Sequence, residues 1–468
     1  MSIEFKTITP QDISFFTTLL GPSGAFSDAE NLDVYGWDYM HELFSKPEIV
    51  LKPSNTEEVS AILKYCNEHE IAVTARGAGT SLSSAALPLH HGVVLSLERF
   101  NKIINIDTEN LQATVEPGVI NEHFANEVLK FGLFYPPDPA SKGSSFLGGN
   151  IAHSSGGPKA VKYGTTKEYV LNLEVVLATG DIIWTGANTL KNSTGYNLTQ
   201  LMVGSEGTLG IITKIVFKLI PKPKYNLLML AAFGSAEKAC ETVSAIFREG
   251  ITPSALEFME RDAIDLTLKH NDINIAVPEW VAAHLLIEVD GNYPETLYKD
   301  CDVINAVLEK HGCGDVLFAE SDFEKEQLWR LRRKVAESVR LESAYKEEDT
   351  VVPRASLPQL LRGVKETGKK YGFRSVCYGH AGDGNLHVNI LKGDMDEENW
   401  NHTIKAGIRE IFELCKRLGG TISGEHGIGF TQKGYTDLVF TPTHKHIFRE
   451  IKKAFDPKEI LNPGKIFD

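Results

Sequence analysis

The stretch Arg76-Gly77-Ala78-Gly79-Thr80-Ser81 follows the short apolar run Ile71-Ala-Val-Thr-Ala75, which predicts a buried strand. A loop of such small residues can turn several backbone N–H groups toward one anion. A dinucleotide fingerprint would need a glycine where Leu82 stands, and Pro88 leaves too little chain before the strand predicted at 92–97 for a crossover helix. A nucleotide-hydrolase phosphate loop is excluded because no Gly-Lys-Ser/Thr follows. An ordinary Gly/Ser surface loop remains the alternative for this segment alone.

Three further segments have the same chemistry. They are Pro136-Pro-Asp-Pro-Ala-Ser141, Gly148-Gly-Asn-Ile-Ala-His-Ser-Ser-Gly-Gly157 and Gly204-Ser-Glu-Gly-Thr-Leu-Gly-Ile-Ile212. A cofactor with a pyrophosphate and a large flat ring needs N–H donors along its middle and small residues where the ring lies against main chain. Four such loops can therefore line one long ligand.

The composition narrows the class of protein. A chain of 468 residues is too long to fold around one hydrophobic core, so we expect more than one domain. Its content of 42% apolar and 24% charged residues is typical of a globular protein. The net charge of −14 argues against nucleic acid as a partner. The six scattered cysteines include no Cys-x-x-Cys pair, which argues against a disulfide framework and ordinary iron–sulfur ligation. The start, Met1 to Pro10, lacks the pattern of a secretory signal, so we expect a cytoplasmic protein.

Helix and strand patterns alternate along the whole chain and predict an α+β fold. The doubly prolyl segment Pro221-Lys-Pro-Lys-Tyr225 predicts a domain boundary. The predicted strands are 71–75, 92–97, 171–177, 211–220, 227–232 and 284–289. The predicted helices are 53–69, 236–248, 324–342, 357–371 and 400–418.

The segment Tyr378-Gly-His-Ala-Gly-Asp-Gly-Asn-Leu-His-Val-Asn389 contains an Asp-Gly pair, a strong hairpin signal. A turn centred on Asp383-Gly384 would pair His380 with His387 on one side of the ribbon, with Cβ atoms about 5 Å apart. Two imidazoles so placed can chelate one metal, although two structural histidines near a turn are the alternative. Asn389 points to the same face.

A further carboxylate and imidazole come from Ser423-Gly-Glu-His-Gly-Ile-Gly429, where Glu425 and His426 stand between glycines. Two histidines and one carboxylate leave coordination positions open for a substrate, as in catalytic zinc, iron(II) or manganese sites. We therefore predict a divalent metal, zinc, iron or manganese, on His380, His387 and Glu425.

The helix predicted at 324–342 carries an apolar stripe at Leu328, Val335 and Val339, and Arg332 falls on that stripe. A guanidinium on the core-facing side needs an anion. Arg332 is therefore a candidate for binding a substrate carboxylate, and a side chain that reaches out to the surface is the alternative.

In order and spacing, these four segments resemble the FAD-binding domain of vanillyl-alcohol oxidase type flavoproteins. Through nearly all its length the chain also resembles the subgroup that contains D-lactate dehydrogenase, D-2-hydroxyglutarate dehydrogenase and a subunit of glycolate oxidase. The resemblance implies FAD contacts from Arg76, Gly77, Ala78, Gly79, Thr80, Ser81, Pro137, Asp138, Ser141, Gly148, Gly149, Asn150, Ala152, Ser154, Glu206, Gly207, Gly210, Ile211, Ile212 and Asn462. Some relatives attach the flavin through a histidine or cysteine in the first loop, and 77–83 holds neither. We therefore expect non-covalent FAD.

The resemblance also implies the domain plan. We expect a two-subdomain FAD-binding domain at 1–223 and an α+β substrate (cap) domain with an antiparallel sheet at 224–425, which carries the histidine hairpin. We expect residues 426–468 to return to the FAD domain.

The same resemblance assigns roles to single residues. His380, His387 and Glu425 match the family's metal ligands, and His426 matches its catalytic base. Arg332 and Lys346 match groups that hold the substrate carboxylate, and Asn389 is added to this catalytic set. Ala336 stands where the hydroxyglutarate enzymes have a threonine that helps to hold a second carboxylate, which favours a smaller acid.

The predicted function is oxidation of a small D-2-hydroxy acid, D-lactate or glycolate, to the 2-oxo acid by hydride transfer to FAD. The alternatives are a D-2-hydroxyglutarate dehydrogenase, a sugar or aldonolactone oxidase of the same superfamily, and a non-catalytic flavin-binding subunit. The electron acceptor is left open among a quinone, an electron-transfer flavoprotein, a cytochrome, a partner subunit and a dye-like acceptor. The oligomeric state is also left open, with a homodimer among the options.

Overall fold

The structure is a computed structural model that describes residues 4–41 and 43–467. Within those residues the helices are α1 Pro10–Leu20, α2 Ala29–Tyr35, α3 Thr56–His69, α4 Asn121–Leu129, α5 Leu147–His153, α6 Ala160–Tyr163, α7 Leu198–Met202, α8 Ala236–Arg248, α9 Arg261–His270, α10 Pro294–Lys310, α11 Asp322–Arg333, α12 Val335–Glu342, α13 Leu357–Tyr371, α14 Ile404–Arg417 and α15 Pro442–Phe455. The strands are β1 Ala25–Phe26, β2 Ile49–Leu51, β3 Val73–Arg76, β4 Val93–Ser96, β5 Ile103–Asp107, β6 Gln112–Val115, β7 Leu133–Phe134, β8 Val170–Val176, β9 Ile182–Trp184, β10 Ile211–Lys218, β11 Ile220–Pro221, β12 Tyr225–Phe233, β13 Ala255–Glu260, β14 Ala283–Gly291, β15 Cys313–Phe318, β16 Tyr345–Val351, β17 Arg374–Gly379 and β18 Asn385–Leu391. The α+β prediction is confirmed.

Two predicted helices differ from the observed ones. The helix predicted at 324–342 is divided into α11 and α12 at Lys334, and both pieces bury apolar residues in one core cluster. The helix predicted at 400–418 begins with a π-helical turn at Asn399–Thr403 before α14. In both places the apolar periodicity indicated a helix without revealing the change in winding.

The described part of the chain divides into two compact units. The first unit consists of Met1–Gly156, Thr165–Lys222 and Glu425–Asp468, and the second of Gly157–Gly164 and Pro223–Gly424. Segment 157–164, Pro223 and Glu425 thus fall in the opposite unit from the one implied by the predicted limits. The assignment of cofactor and substrate to domains 1–223, 224–425 and 426–468 remains a prediction.

The first unit contains a mainly parallel sheet in the order β1-β2-β4-β3. Strand β4 runs parallel to both β2 and β3, and α3 connects β2 to β3. The expectation that parallel pairing needs a crossover helix is wrong for β3 and β4, since the irregular segment 77–92 joins them without one. An antiparallel sheet in the order β5-β6-β10-β8-β9 and the pair β11-β7 complete its strands in the described residues.

The C-terminal segment adds to the free edge of β3. Val73 N–H donates to the carbonyl of Ile460 at 2.8 Å, and Asn462 N–H donates back to the carbonyl of Val73 at 2.8 Å. Ile460 and Leu461 are fully buried in the core cluster that β3, β4 and α3 share. The glycine-rich loop after β3 therefore begins at a strand fixed on both sides.

The second unit is built on an antiparallel sheet in the order β15-β12-β14-β13-β17-β18-β16. Apolar residues of α9, α11 and α12 cover part of one face. The strand registers place on this same face Glu257 of β13, Glu288 of β14, Tyr378 of β17 and His387 of β18. One sheet face thus combines an apolar cluster with buried charged groups.

Segment 157–164 packs on this sheet through charge. Lys159 forms an ion pair with Glu288, and Lys162 Nζ lies 2.5 Å from Asp290 Oδ1. Tyr163 donates its hydroxyl proton to Asp290 at 2.8 Å. These contacts explain why the segment belongs to the second unit.

Candidate functional site

The histidine hairpin forms, but not with the predicted turn. Tyr378 rather than His380 pairs with His387, and a 3-10 turn at Ala381–Asp383 replaces a two-residue turn. The predicted register is therefore wrong by two residues. Because side chains alternate with a period of two, this shift leaves the same residues on the same face. The rings of His380 and His387 are edge to face, with centroids 5.4 Å apart.

A buried glutamate orients His380. His380 Nδ1 lies 2.9 Å from each carboxylate oxygen of Glu257, whose side chain is fully enclosed. A carboxylate accepts only, so Nδ1 carries the proton, and Nε2 of the neutral ring is the nitrogen that can ligate a metal. Carboxylate–histidine pairs of this kind support metal ligands. Within the second unit, the donor set therefore fits zinc, iron or manganese.

Arg332 lies on the buried side of α11, as predicted. Its Nη2 is 2.7 Å from Oε2 of Glu257, and its guanidinium carbon is 4.9 Å from the Tyr378 ring centroid. Burial opposes the charge of Glu257, but the hydrogen bond from His380 and the charge of Arg332 outweigh burial and hold the pKa of Glu257 below its usual range. Among the described residues, Nε of Arg332 has no hydrogen-bond partner. The guanidinium thus keeps a buried donor for an anion.

Acidic residues of β16 lie near His387, and no motif of the sequence had pointed to them. Glu347 Oε1 is 3.6 Å and Asp349 Oδ1 is 3.8 Å from His387 Nδ1. Asp349 also accepts from Asn385 Nδ2 at 2.7 Å and from Gly424 N–H at 2.7 Å. The run of four consecutive charged residues at 346–349 was the available signal, because alternation of side chains along a strand places Glu347 and Asp349 on one face.

Lys346 lies on the opposite sheet face from His387. It pairs with Ile390, whereas Glu347 pairs with Asn389, and its ammonium lies 5.2 Å from the Trp400 ring centroid. The structure therefore does not bring Lys346 to the histidines. Asn389 is on the histidine face, fully buried, and its amide makes no well-formed hydrogen bond within the described residues.

In the first unit, Arg76 folds back over its own loop. Gly79 has a φ of +73°, and a Cβ there would come within 2.3 Å of Arg76 Nη2. The guanidinium is buried beside the Tyr35 ring, burial lowers the pKa of Arg76, and Nη1 has no partner in the described residues. A buried cation with an unused N–H beside a glycine loop fits a pyrophosphate.

Within the segment predicted as a loop at 148–157, residues 148–153 belong to the short helix α5 and Ser154 caps it. The carbonyls of α5 accept from the fourth segment, 204–212, because Gly204 N–H donates to the carbonyl of Ile151 and Glu206 N–H donates to the carbonyl of Ala152, each at 2.9 Å. A Cβ on Gly149 would meet nothing within 4 Å, which leaves room for a flat ring against main chain. The amide nitrogen of Asn150 is buried without a partner in the described chain.

The remaining predicted FAD contacts have varied surroundings. Asn121 Nδ2 donates to the carbonyl of Pro137 at 3.4 Å. The carbonyl of Ser141 accepts from Ser144 and Ser145 N–H. Ser154 caps α5 with a φ of +53°, Gly207 has a φ of +71°, and Gly210 packs against Val175. The loop that follows Arg76 contains Gly77, Ala78, Thr80 and Ser81. Asp138 lies beside Lys142, and Gly148 lies in α5. Strand β10 begins with Ile211 and Ile212.

Two predicted cofactor contacts use their side chains within the unit. The Glu206 carboxylate accepts from Ile428 N–H and Gly429 N–H, each at 2.8 Å. Asn462 accepts from Ala75 N–H at 2.7 Å and donates to the Glu206 carbonyl at 2.6 Å. Both side chains therefore fasten the C-terminal segment to the glycine loops.

Glu425 and His426 are half-buried and belong to the first unit. Gly156 N–H donates to Oε2 of Glu425 at 3.1 Å, and the His426 carbonyl accepts from Ser83 Oγ at 3.0 Å. The chain leaves the second unit at Gly424, directly before these two residues.

Comparison with known families identifies the chain. A model of the FAD binding domain matches residues 47–186, and a model of the C-terminal domain of FAD linked oxidases matches residues 222–466. The chain belongs to the FAD-linked oxidases. It is 40% identical over 449 residues to glycolate oxidase subunit GlcD of Bacillus subtilis (strain 168), with 94% of this chain and 95% of that protein covered. D-lactate dehydrogenase of Anaerostipes hadrus is 36% identical over 468 residues, with 99% and 98% covered.

The fold of this FAD-linked oxidase also matches solved structures. Substrate-bound p-cresol methylhydroxylase has a TM-score of 0.80 at 20% identity, covering 99% of this chain and 98% of that one, a likeness that concerns the fold alone. The predicted family and the vanillyl-alcohol oxidase type fold are confirmed. The protein is an oxidoreductase with FAD as its cofactor. In the described part of this FAD-linked oxidase, every helix is too short or too polar to cross a membrane.

Proposed function

We propose that this FAD-linked oxidase oxidises a small D-2-hydroxy acid, D-lactate or glycolate, to the corresponding 2-oxo acid. The observation that carries the proposal is the buried set in which Glu257 contacts His380 and Arg332 and the His387 ring lies edge to face with that of His380. A metal-ligating pair beside a guanidinium suits a substrate with adjacent hydroxyl and carboxylate groups. The names of the relatives, a glycolate oxidase subunit and a D-lactate dehydrogenase, support the same class of substrate.

Arg332 binds the substrate carboxylate in this proposal. Its Nε is buried without a partner among the described residues, and its Nη2 is held by Glu257, so the guanidinium is positioned before an anion arrives. Ala336 packs against the apolar cluster and offers no hydroxyl for a second carboxylate. A short acid therefore suits this part of the second unit better than D-2-hydroxyglutarate does.

His380, His387 and Glu425 are proposed to hold a divalent metal, zinc, iron or manganese. When bound, such a metal polarises the substrate hydroxyl and lowers its pKa. Glu257 keeps the proton of His380 on Nδ1, which leaves Nε2 to the metal. Gly156 N–H holds one oxygen of Glu425 and so orients the carboxylate.

His426 is proposed to accept the proton of the substrate hydroxyl. FAD, when bound, supplies the acceptor for the hydride from the α-carbon. Arg76, whose Nη1 has no partner among the residues that the structure describes, and the loops around Gly149 and Gly207 are proposed to hold the pyrophosphate and ring system of FAD without a covalent bond.

Anaerobic reduction of the flavin tests the substrate class. D-lactate, glycolate, D-2-hydroxyglutarate and an aldose are mixed separately with the purified protein, and flavin absorbance is followed. We expect rapid bleaching by D-lactate or glycolate and slow bleaching by the other two. Bleaching by the aldose alone would refute the proposal, and fastest bleaching by D-2-hydroxyglutarate would transfer it to that acid. His426→Ala should retain FAD and lose bleaching.

Metal removal tests the proposed centre. The protein is treated with a chelator, analysed for metal by elemental analysis and assayed for flavin reduction. We expect the treated protein to keep FAD, lose activity and regain it with added zinc or manganese. Full activity in a metal-free preparation would remove the metal from the proposal.

The electrons are proposed to leave the reduced flavin to a quinone, a carrier flavoprotein or a partner subunit. The chain has six cysteines and no Cys-x-x-Cys pair, so it offers no ordinary iron–sulfur route of its own. The name of the Bacillus relative, which calls that protein a subunit, supports a partner protein.

A further inference from the structure

Glu257 contacts two groups that the proposed reaction uses separately. Both of its oxygens lie 2.9 Å from His380 Nδ1, and Oε2 lies 2.7 Å from Arg332 Nη2. Its side chain is fully enclosed on β13, which lies between β14 and β17 in the sheet. A carboxylate removed from water needs such partners to remain charged.

We infer that Glu257 is a positioning residue that fixes the tautomer of His380 and the orientation of Arg332 together, an inference that rests on the proposed function. Through His380 it presents Nε2 to the metal. Through Arg332 it aims the guanidinium at the substrate carboxylate. Glu257 thereby makes the distance between the metal and the Arg332 guanidinium depend on the position of one strand, β13.

The physical reason lies in the geometry of the two contacts. Without an acceptor at Nδ1, the proton of a neutral imidazole can move to Nε2, which then cannot ligate. Without an anion at Nη2, the buried guanidinium has one fewer group to hold it in place. Loss of such a supporting carboxylate typically lowers metal affinity by about 10- to 100-fold.

A second buried glutamate on the same sheet face provides a matched control. Glu288 of β14 is 2% exposed, accepts from Ser254 Oγ at 2.8 Å and from Trp329 Nε1 at 3.2 Å, and forms an ion pair with Lys159. Its partners among the described residues are structural and include neither a histidine nor Arg332. Glu288→Gln therefore reports what the loss of a buried charge alone does.

The experiment compares Zn²⁺ affinity in wild type, Glu257→Gln and Glu288→Gln holoproteins by competition with a chromogenic chelator. Melting temperature, kcat and KM for the most active hydroxy acid are measured in parallel. We expect Glu257→Gln to bind Zn²⁺ about 10- to 100-fold more weakly. Excess Zn²⁺ should restore its kcat while KM stays raised, because Arg332 has lost its partner. Glu288→Gln should change melting while leaving Zn²⁺ affinity within about twofold of wild type, which corresponds to about 0.4 kcal/mol.

Unchanged Zn²⁺ affinity in Glu257→Gln would overturn the inference and leave the proposed metal centre intact. A wild type that oxidises the hydroxy acid but binds no Zn²⁺ or Mn²⁺ would overturn the metal centre and the inference with it. If Glu257→Gln does not fold, Glu257→Asp is used instead, because aspartate keeps the negative charge but is one methylene shorter and so holds its carboxylate farther from His380 and Arg332. Equal Zn²⁺ affinity in Glu257→Asp and wild type would then count against the inference.

Discussion

Replacing Asn462 by alanine should destabilise the first unit by about 2 to 4 kcal/mol. The side chain is 3% exposed and joins the N–H of Ala75 to the carbonyl of Glu206. The Glu206 end is buried, so its carbonyl left without a partner costs about 1 to 3 kcal/mol, and the partly buried Ala75 end costs nearer to about 1 kcal/mol. The glycine loop after β3 loses its connection to the C-terminal segment.

Urea unfolding measures this loss, with flavin release and tryptophan fluorescence followed together. Asn110→Ala is the control, because exposed Asn110 bonds only locally, to Asp107 at 2.8 Å among the contacts that the structure describes, and should change stability by less than about 0.5 kcal/mol. An Asn462→Ala protein with the urea midpoint of wild type and a raised Kd for FAD would refute the reasoning. Asn462 would then be a direct cofactor contact, not a fastening residue.

Two further perturbations follow from the backbone and from burial. Gly384→Ala places a Cβ 1.9 Å from the Val352 carbonyl oxygen at a φ of +79°, so it should disrupt the hairpin and lower the melting temperature. Gly372→Ala is the control, because Gly372 has a similar φ of +74° but open space around it, and this substitution should cost only about 1 to 2 kcal/mol. Equal melting temperatures in the two variants would contradict this prediction. Burial lowers the pKa of Lys465 to about 7, and Lys465 Nζ donates to the carbonyls of Ser84 and Leu87. A lysine in the unfolded chain keeps its proton up to about pH 10.4, so above pH 7 the folded state binds fewer protons than the unfolded state. The free energy of unfolding should therefore rise with pH between about 7 and 10, by at most about 1.4 kcal/mol per pH unit. Lys465→Met should remove that rise in urea midpoints, and an identical pH dependence in the variant would contradict the assignment.

Local sequence patterns predicted the bounds of a helix well where one apolar periodicity continued from its first to its last residue. Helices α8 and α13 begin and end at the predicted residues, since each has a clear apolar stripe and a polar start. Pattern alone did not predict how β3 and β4 are joined, because parallel pairing through an irregular loop depends on long-range packing. The break at Lys334 likewise depends on two helical pieces burying residues in one core.

For the candidate site, residue chemistry identified the histidines and Arg332 but not their supports. His380 and His387 flank the short glycine-containing turn at 381–384, whereas Glu257 lies in an apolar strand 123 positions before His380. A charged residue inside a buried strand is the signal that would have found it. Lys346 was assigned by resemblance alone, and strand alternation places it on the other face.

The pairing of Ile460 and Asn462 with Val73 also determines when β3 can complete its hydrogen bonds during protein synthesis. Ala75 and Asn462 are 387 residues apart, and the entire second unit is translated between them. The nascent first unit therefore keeps one edge of β3 open on the ribosome until residues 460–462 emerge, although domains generally fold as they are made. Contacts this distant in sequence slow folding, and an open strand edge invites wrong pairing. Chaperone demand and the yield of recombinant protein should consequently depend on residues 460–462 more than on any loop of the second unit.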